Sequence, residues 1–153
     1  MDEAQNLHGR DLQGRDLHGE NFSDANLRGA NLAGANLAGA NLTDTDLTRA
    51  DLTHADLTGA DLTDALLVGA VAVKTNLTRA ELIRADLTGV DLTNANVTRA
   101  TLIDANFTDA TLLNADFSNA TVTGAYFDDY EKLAGDATIT GVHFEHARFG
   151  SAT

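Results

Sequence analysis

The sequence of 153 residues contains no cysteine, no proline and no tryptophan, and its ten Lys and Arg are outnumbered by twenty-three Asp and Glu. Without cysteine, the chain has neither a disulfide framework nor a thiolate metal site. Without proline, the usual signal of a hinge or linker is missing, and a chain of this length is expected to form one domain. The formal net charge of −13 disfavours direct binding to nucleic acid, because that affinity depends on neutralising phosphates. A basic protein is the better electrostatic partner.

Long apolar runs are also missing, so no segment is predicted to cross a bilayer. The first ten residues, MDEAQNLHGR, lack the basic and apolar regions of a signal peptide. We therefore expect a cytoplasmic protein that does not contact membranes, although a mature exported form would have the same composition.

An apolar residue returns at every fifth position along most of the chain. From Leu7 to Phe127, twenty-five successive positions hold eighteen Leu, four Phe, two Val and Ala72. From residue 25 onward, the residue two before each of these is Ala in eighteen of twenty-one repeats. We number the repeat so that this small residue is position 1 and the apolar residue is position 3. The other members are the polar residue at position 2, position 4, which is often Thr, and position 5, which is often Gly.

A period of five suits neither a helix, which needs apolar residues three and four apart, nor a strand, which alternates. The chain must therefore bend every few residues, with positions 1 and 3 pointing inward and the others outward. Nine glycines between Gly9 and Gly89 occupy position 5, and Gly, Asn and Asp tolerate positive φ in turns. The predicted core is formed by position 3 residues, among them Leu32, Leu37, Leu42, Leu52, Leu57, Leu62, Phe107 and Phe117.

Repeats such as Ala50-Asp51-Leu52-Thr53-His54 resemble those of the pentapeptide repeat family, and the resemblance extends without a gap over residues 5–129. It implies an all-β fold, a right-handed quadrilateral parallel β-helix (a solenoid) with four pentapeptides per coil. The coils would stack at the interstrand spacing of about 4.8 Å. The charge pattern alone allows windings of fifteen or twenty residues, so the four-sided form depends on the resemblance.

Both ends of the array depart from the pattern. In the first four repeats, position 1 holds long polar residues, namely Gln5, Arg10, Arg15 and Glu20. We expect their side chains to shield the end of the core. Residues 130–136, YEKLAGD, fit no pentapeptide and are predicted to form an insertion or a short helical turn. The pattern resumes two residues out of register, so residues 137–153 form either final repeats or a C-terminal cap of the single domain 1–153.

The most irregular stretch, ALLVGAVAVKT at residues 65–75, places apolar residues at outward positions while position 3 shrinks to Ala72. Exposed apolar clusters mark interfaces. The alternative is that Val71 or Val73 turns inward to fill the space left by Ala72. Further outward apolar residues occur nearby in the sequence, including Leu113. The candidate interaction patch comprises Leu66, Val68, Val71, Val73, Ile83 and Ile103.

A twenty-residue coil would align acidic residues at one edge. The candidate acidic stripe comprises Asp24, Asp44, Asp64 and Asp104, with Arg84 in the same column. The family resemblance implies a role for such a stripe, because some relatives shield DNA gyrase by imitating DNA. The alternative is a solvated edge that aids solubility. Position 4 is rich in Thr, which could form an ice-binding array but is also typical of an ordinary β-surface.

No catalytic, cofactor or metal site is predicted. His143 and His146 flank Glu145, but no third metal ligand follows at a recognised spacing. We therefore predict a non-enzymatic acidic scaffold, monomeric or homodimeric, that binds an unidentified protein, with a basic protein favoured. The alternatives are a DNA-mimic protein that binds DNA gyrase, a topoisomerase, and an ice or surface binder.

Overall fold

The structure is a computed structural model that describes residues 5–128, 133, 135, 137–138 and 146–149. Residues at position 2 pair in parallel with residues twenty positions later, as Asp51 does with Val71. Three short strands continue this pairing, β1 (Asn106–Phe107), β2 (Tyr126–Phe127) and β3 (Arg148–Phe149), in one parallel sheet of order β1-β2-β3. Four pentapeptides therefore make one coil, and the fold is the predicted right-handed quadrilateral β-helix. We number its sides 1 to 4 by the repeats that contain Leu27, Leu32, Leu37 and Leu42.

A tight turn ends each side of the coil. The carbonyl at position 3 accepts a hydrogen bond from the N–H at position 1 of the next repeat, as in Ala30 to Leu27 at 3.0 Å. From residue 9 to residue 124 every position 5 has positive φ, between 55° and 68°, and ten of these residues are Gly. A turn with positive φ at its third residue favours Gly, Asn or Asp. Position 5 thus forms the corners of the rod, whether it holds Gly or a larger residue such as Arg49.

Three kinds of backbone hydrogen bond join successive coils on every side. Around the first side, Leu27 N–H donates to the Asp46 carbonyl at 2.8 Å, Gly29 N–H to Thr48 at 2.9 Å, and Asp46 N–H to Ala25 at 2.9 Å. Backbone groups of an interior coil are therefore satisfied by the coils on both sides of it. The sides of the rod have no free strand edge there, so another protein must recognise them through side chains.

The core is the column of position 3 and position 1 side chains. All eight core residues named from the sequence are at most 2 % exposed. Toward the C-terminal end, aromatic rings replace Leu: Phe107 stacks on Phe127 with centroids 4.6 Å apart, and Phe117 contacts both rings edge-on at 5.9 and 6.5 Å. Offset and edge-on ring pairs contribute about 0.5–1.5 kcal/mol beyond the burial of area.

The two ends differ from the interior. Gln5, Arg10, Arg15 and Glu20 are exposed while Leu7, Leu12 and Leu17 are only half-buried, so the expected shielding of the first coil is partial. Near the other end the pairing interval lengthens to twenty-two residues, with Asp116 paired to Thr138 and Tyr126 to Arg148. The two-residue shift seen in the sequence is therefore present in the pairing.

The predicted insertion at 130–136 lies mostly outside the described residues. Within it, Leu133 and Gly135 are helical, and Leu133 is 2 % exposed and joins the core. The division of the chain into repeats at 5–129, an insertion at 130–136 and final repeats or a cap at 137–153 stays a prediction. In the part of the chain that the structure describes, no helix has the length and apolar character to span a membrane.

Candidate interaction surfaces

The polar residue at position 2 supports the turn that follows it. Its Oδ1 accepts a hydrogen bond from the N–H at position 4, for example Thr53 to Asp51 and Thr93 to Asp91, both at 2.9 Å. This is the Asx turn, which Asn and Asp form because their oxygens reach the backbone two residues on. The requirement explains why Asn and Asp dominate position 2, a preference the sequence shows but does not explain.

Position 2 side chains also connect successive coils. Asn Nδ2 donates to the Asp Oδ1 of the preceding coil in Asn31 to Asp11 at 3.0 Å, and in Asn76 to Asp56 at 3.2 Å. An Asn beside an Asp thus forms a hydrogen bond where a second Asp would be repelled. Asp61 and Glu81 pair with each other and are the one case of directly neighbouring acids among the paired position 2 residues that the structure describes.

Four residues of the candidate patch form what we call the apolar band: Leu66 and Val68 on side 1, Val71 and Val73 on side 2 of the same coil. Leu66 is 42 % and Val71 41 % exposed, while Val68 and Val73 are half-buried. Val71 therefore points outward, and the alternative in which it turns into the core is wrong. Val73 likewise keeps the half-buried state of other position 4 residues such as Thr93, and Ala72 remains at the centre, 1 % exposed.

The backbone beneath the apolar band is undisturbed. Leu47 N–H donates to the Leu66 carbonyl at 2.8 Å, and Leu52 N–H donates to the Val71 carbonyl at 2.7 Å, the same lengths as in regular coils. Leu66 and Val71 have no side-chain oxygen and cannot form the Asx turns that Asn or Asp would form there. The local fold thus gains less from these residues than from the polar residues that occupy position 2 in neighbouring coils.

Carboxylates border the apolar band on both sides along the rod. Leu66 pairs with Asp46 and Asp86, and Val71 pairs with Asp51 and Asp91. Asp46 also forms an ion pair with Arg28 at 3.1 Å. Partial burial alone would raise the pKa of Asp46, but hydrogen bonds from Thr48 and Arg28 outweigh burial and lower it.

The other two patch residues lie elsewhere on the rod. Ile83 and Ile103 stack in one column on side 4, are half-buried, and are linked through the bond from Arg84 N–H to the Ile103 carbonyl at 2.8 Å. Leu113, 47 % exposed, lies on side 2 two coils beyond Val73. The structure therefore divides the predicted patch into the apolar band and a separate isoleucine pair.

The acidic stripe occupies the corner between sides 4 and 1, where Asp24, Asp44, Asp64 and Asp104 all have positive φ. Arg84 interrupts it and forms a two-bond ion pair with Asp64, in which its Nε donates to Oδ1 at 2.8 Å and a terminal nitrogen to Oδ2. The Arg84 hydrogen bond lowers the pKa of Asp64, and the same bond raises the pKa of Arg84. The stripe is thus not uniformly anionic.

The threonine array on side 3 has Thr58, Thr78, Thr98 and Ser118 in one column. Thr58 donates its hydroxyl to Asp56 at 2.6 Å and Thr78 to Asn76 at 2.7 Å. Two of the hydroxyl protons of this column are therefore used within the surface. Those two protons are directed into the protein surface and not toward bound water.

Two buried hydroxyl groups were not assigned a role from the sequence. Thr45 and Thr75 occupy position 1, where Ala is the rule, and donate to the carbonyls of Phe22 and Leu52, both at 2.7 Å. They are 0 % and 1 % exposed. The replacement of Ala by Thr at position 1 is the sequence signal for these buried hydroxyls. The partner carbonyls lie twenty-three residues earlier, so they can be identified only when the coil length is known.

No metal centre is evident among the described residues, since no group of three or more His, Cys, Asp or Glu could hold an ion there. Of the His143–His146 motif only His146 is described, so the rest of that motif lies outside the described residues.

A four-sided solenoid whose described coils have a filled core and varied sides defines a class of protein that presents its sides to other molecules. A family model described as pentapeptide repeats (8 copies) matches residues 6–44, 21–59, 55–94 and 91–129 of the chain. The chain therefore belongs to the pentapeptide repeat family.

Several solved structures are similar to this chain. Full-length QnrB1, a plasmid-mediated fluoroquinolone resistance protein, is 20 % identical over 97 % of this chain and 86 % of its own, with a TM-score of 0.51. Rfr23 from the cyanobacterium Cyanothece 51142 is 25 % identical over 94 % and 86 %, with a TM-score of 0.43. A pentapeptide repeat protein of the Arabidopsis thaliana thylakoid lumen is 34 % identical over 71 % and 69 %, with a TM-score of 0.35. A search of the curated proteins finds no match. At 20 % identity, the likeness to QnrB1 shows the fold alone.

Proposed function

We propose that this pentapeptide repeat protein is a non-enzymatic scaffold that binds another protein through the side of its rod, at the apolar band. The observation that carries the proposal is the exposure of Leu66 and Val71 on an intact backbone ladder. Because Asn would give each of these turns a further hydrogen bond, neither residue is the best choice for the fold. Both are suited to an interface, where apolar side chains lose contact with water on docking.

The test replaces Leu66 and Val71 together with Asn, the residue found at the same two places, Asn26 and Asn31, in the coil of residues 25–44. Each Asn can restore an Asx turn, so we expect the double variant to unfold at the same temperature as the unmodified protein or a higher one. We expect it to capture at least about tenfold less of any host protein that the unmodified rod retains, because central interface residues carry most of the binding energy.

Leu113→Thr is the matched control, because Leu113 is equally exposed on side 2 but lies outside the apolar band. It should capture the partner as well as the unmodified protein does. Equal capture by the double variant, with circular dichroism showing an intact fold, would show that the apolar band is not the interface.

A second candidate function is a DNA mimic that binds DNA gyrase, favoured by the acidic stripe at the corner between sides 4 and 1. Asp24, Asp44 and Asp104 lie in one column with the ion-paired Asp64, and a row of carboxylates can imitate a phosphate backbone. A supercoiling assay with purified gyrase tests it directly. Unchanged supercoiling at micromolar protein argues against mimicry. The ice-binding alternative has a different test, since measurable thermal hysteresis would favour the threonine array as an ice-binding surface.

A further inference from the structure

The apolar band lies between two rows of carboxylates, and this arrangement indicates what chemistry its partner has. We infer that the band accepts a cationic segment of another protein, in which apolar side chains lie between Lys or Arg residues. The inference rests on the proposed function, because it names the partner of the same site.

The geometry of side 2 places charge directly beside the apolar residue. Val71 pairs with Asp51 in one neighbouring coil and with Asp91 in the other, at the ladder spacing of about 4.8 Å. Both carboxylates are half-buried and already accept the N–H of a threonine. Their positions are therefore fixed, and a partner that covers Val71 must also cover part of both.

These carboxylates lack a cation of their own. The two ion pairs found within the described part of the chain are Arg28 with Asp46 and Arg84 with Asp64. Arg49 and Lys74 lie at the corners that bound side 2, yet neither is within ion-pair distance of Asp51 or Asp91. An uncharged apolar partner would leave both carboxylates partly desolvated and unpaired, which is costly. Lys or Arg on each side of an apolar side chain removes that cost and makes the contact specific.

The same argument disfavours a second copy of this chain as the occupant. An antiparallel, two-fold contact centred on Val71 would bring Asp51 of one copy opposite Asp91 of the other. Like charges in direct opposition destabilise a contact, and the rod as a whole has a net charge of −13. A basic partner is attracted by both features.

The probe is a fluorescein-labelled ten-residue peptide in which Lys and Val take turns at every second position and Ser fills the positions between, so that Lys and Val share one face of the extended peptide. It is added to the full-length protein at ~150 mM salt, where charges beyond about 8 Å are screened. Fluorescence anisotropy gives its affinity. Glu–Val and Lys–Ser peptides of the same length test the need for positive charge and for apolar side chains. We expect binding of the Lys–Val peptide and at least about tenfold weaker binding of the other two.

Matched variants locate the site. Asp51→Asn with Asp91→Asn should weaken binding of the Lys–Val peptide by about tenfold, and Leu66→Asn with Val71→Asn should weaken it as much. Asp56→Asn with Asp116→Asn on side 3 removes the same net charge and should have little effect. In each position Asn retains Oδ1, so the Asx turns and the fold persist.

Three results would overturn the inference. The first is an equal loss of peptide affinity in the side 2 and side 3 charge variants, which would indicate attraction by net charge alone. The second is an unchanged peptide affinity in the Leu66/Val71 double variant. The third is concentration-dependent dimerisation, measured by sedimentation, that the same double variant abolishes. Capture of a host protein that depends on the apolar band, combined with no binding of the Lys–Val peptide, would leave the scaffold proposal standing and reject the cationic partner.

Discussion

The coil of residues 25–44 and the coil of residues 65–84 share one backbone but have different surfaces. Leu27 and Leu67 N–H groups each donate to the next coil at 2.8 Å. In the first coil Asn31 forms an Asx turn with Ala33 at 3.1 Å, whereas Val71 at the same place in the second coil cannot. The ladder thus forms with or without the Asx turn at position 2, so a coil can give up that turn and present a different side chain. A difference between coils at that position is a difference in what the rod presents to other molecules.

The largest expected effect separates two neighbouring leucines of the second coil. Leu67 is 1 % exposed at position 3, and Leu66 is 42 % exposed at position 2. Leu67→Ala should lower the free energy of unfolding by about 2–5 kcal/mol, because it removes buried methyl groups and leaves a cavity. Leu66→Ala should change it by less than about 0.5 kcal/mol, as expected for a surface site. Urea titration followed by circular dichroism measures both, and similar losses would mean that Leu66 belongs to the core.

Much of the shared backbone could be predicted from the sequence, because the recurrence of Leu and Ala every five residues restricts which side chains face inward. The length of the coil could not, since windings of fifteen and twenty residues satisfy the same local rules. It followed from resemblance and is shown by the pairing of Asp51 with Val71. Contacts that depend on coil length, such as that of Thr75 with the Leu52 carbonyl, therefore could not be predicted from the five-residue pattern.

The candidate surface was only partly predictable for a related reason. The sequence identifies Leu66 and Val71 as departures from the repeat, but whether a departure turns inward depends on the space left by Ala72. The backbone ladder decides the direction of Val71. The Leu52 N–H donates to the Val71 carbonyl at 2.7 Å, and this hydrogen bond keeps the Val71 side chain at an outward position. Ile83 and Ile103 are close to the band in sequence but lie on a different side.

A smaller effect is expected from making the core of the second coil like that of the first. Ala72 occupies the place that Leu32 fills in the regular coil, and both are buried on a ladder of normal length. Ala72→Leu should raise the free energy of unfolding by about 1–2 kcal/mol, since filling a core position adds buried apolar area. Thermal unfolding with a Leu32→Ala variant as the reverse control measures this. A loss of stability would show that neighbouring side chains already occupy the space and that Leu overpacks it.

Thr75 offers a subtler contrast with Ala35, its counterpart on the same side of the regular coil. Its buried hydroxyl donates to the Leu52 carbonyl at 2.7 Å, and that carbonyl also accepts the Ala55 N–H at 2.9 Å. Thr75→Val keeps the shape and removes one hydrogen bond, so we expect a loss of about 1 kcal/mol. Thr45→Val, which breaks the equivalent bond to Phe22, should give a similar loss in urea titration. No loss in either variant would mean that the second bond contributes nothing to stability.

The smallest effect concerns Arg84, the cation that the second coil places in an otherwise acidic corner, where the first coil has Asp44. The Arg84 hydrogen bond lowers the pKa of Asp64 in the folded protein, so the pair contributes stability above the unfolded pKa of about 3.9. That contribution is lost as the pH falls through the lower, folded pKa. Arg84→Gln should therefore raise the pKa of Asp64 toward its ordinary value, as measured by NMR titration of the carboxyl carbon. Asp46 is the internal control, because Thr48 and Arg28 lower its pKa and Arg84→Gln should leave its titration unchanged. An unchanged titration of Asp64 would mean that the exposed pair does not persist in solution, where surface ion pairs are weak.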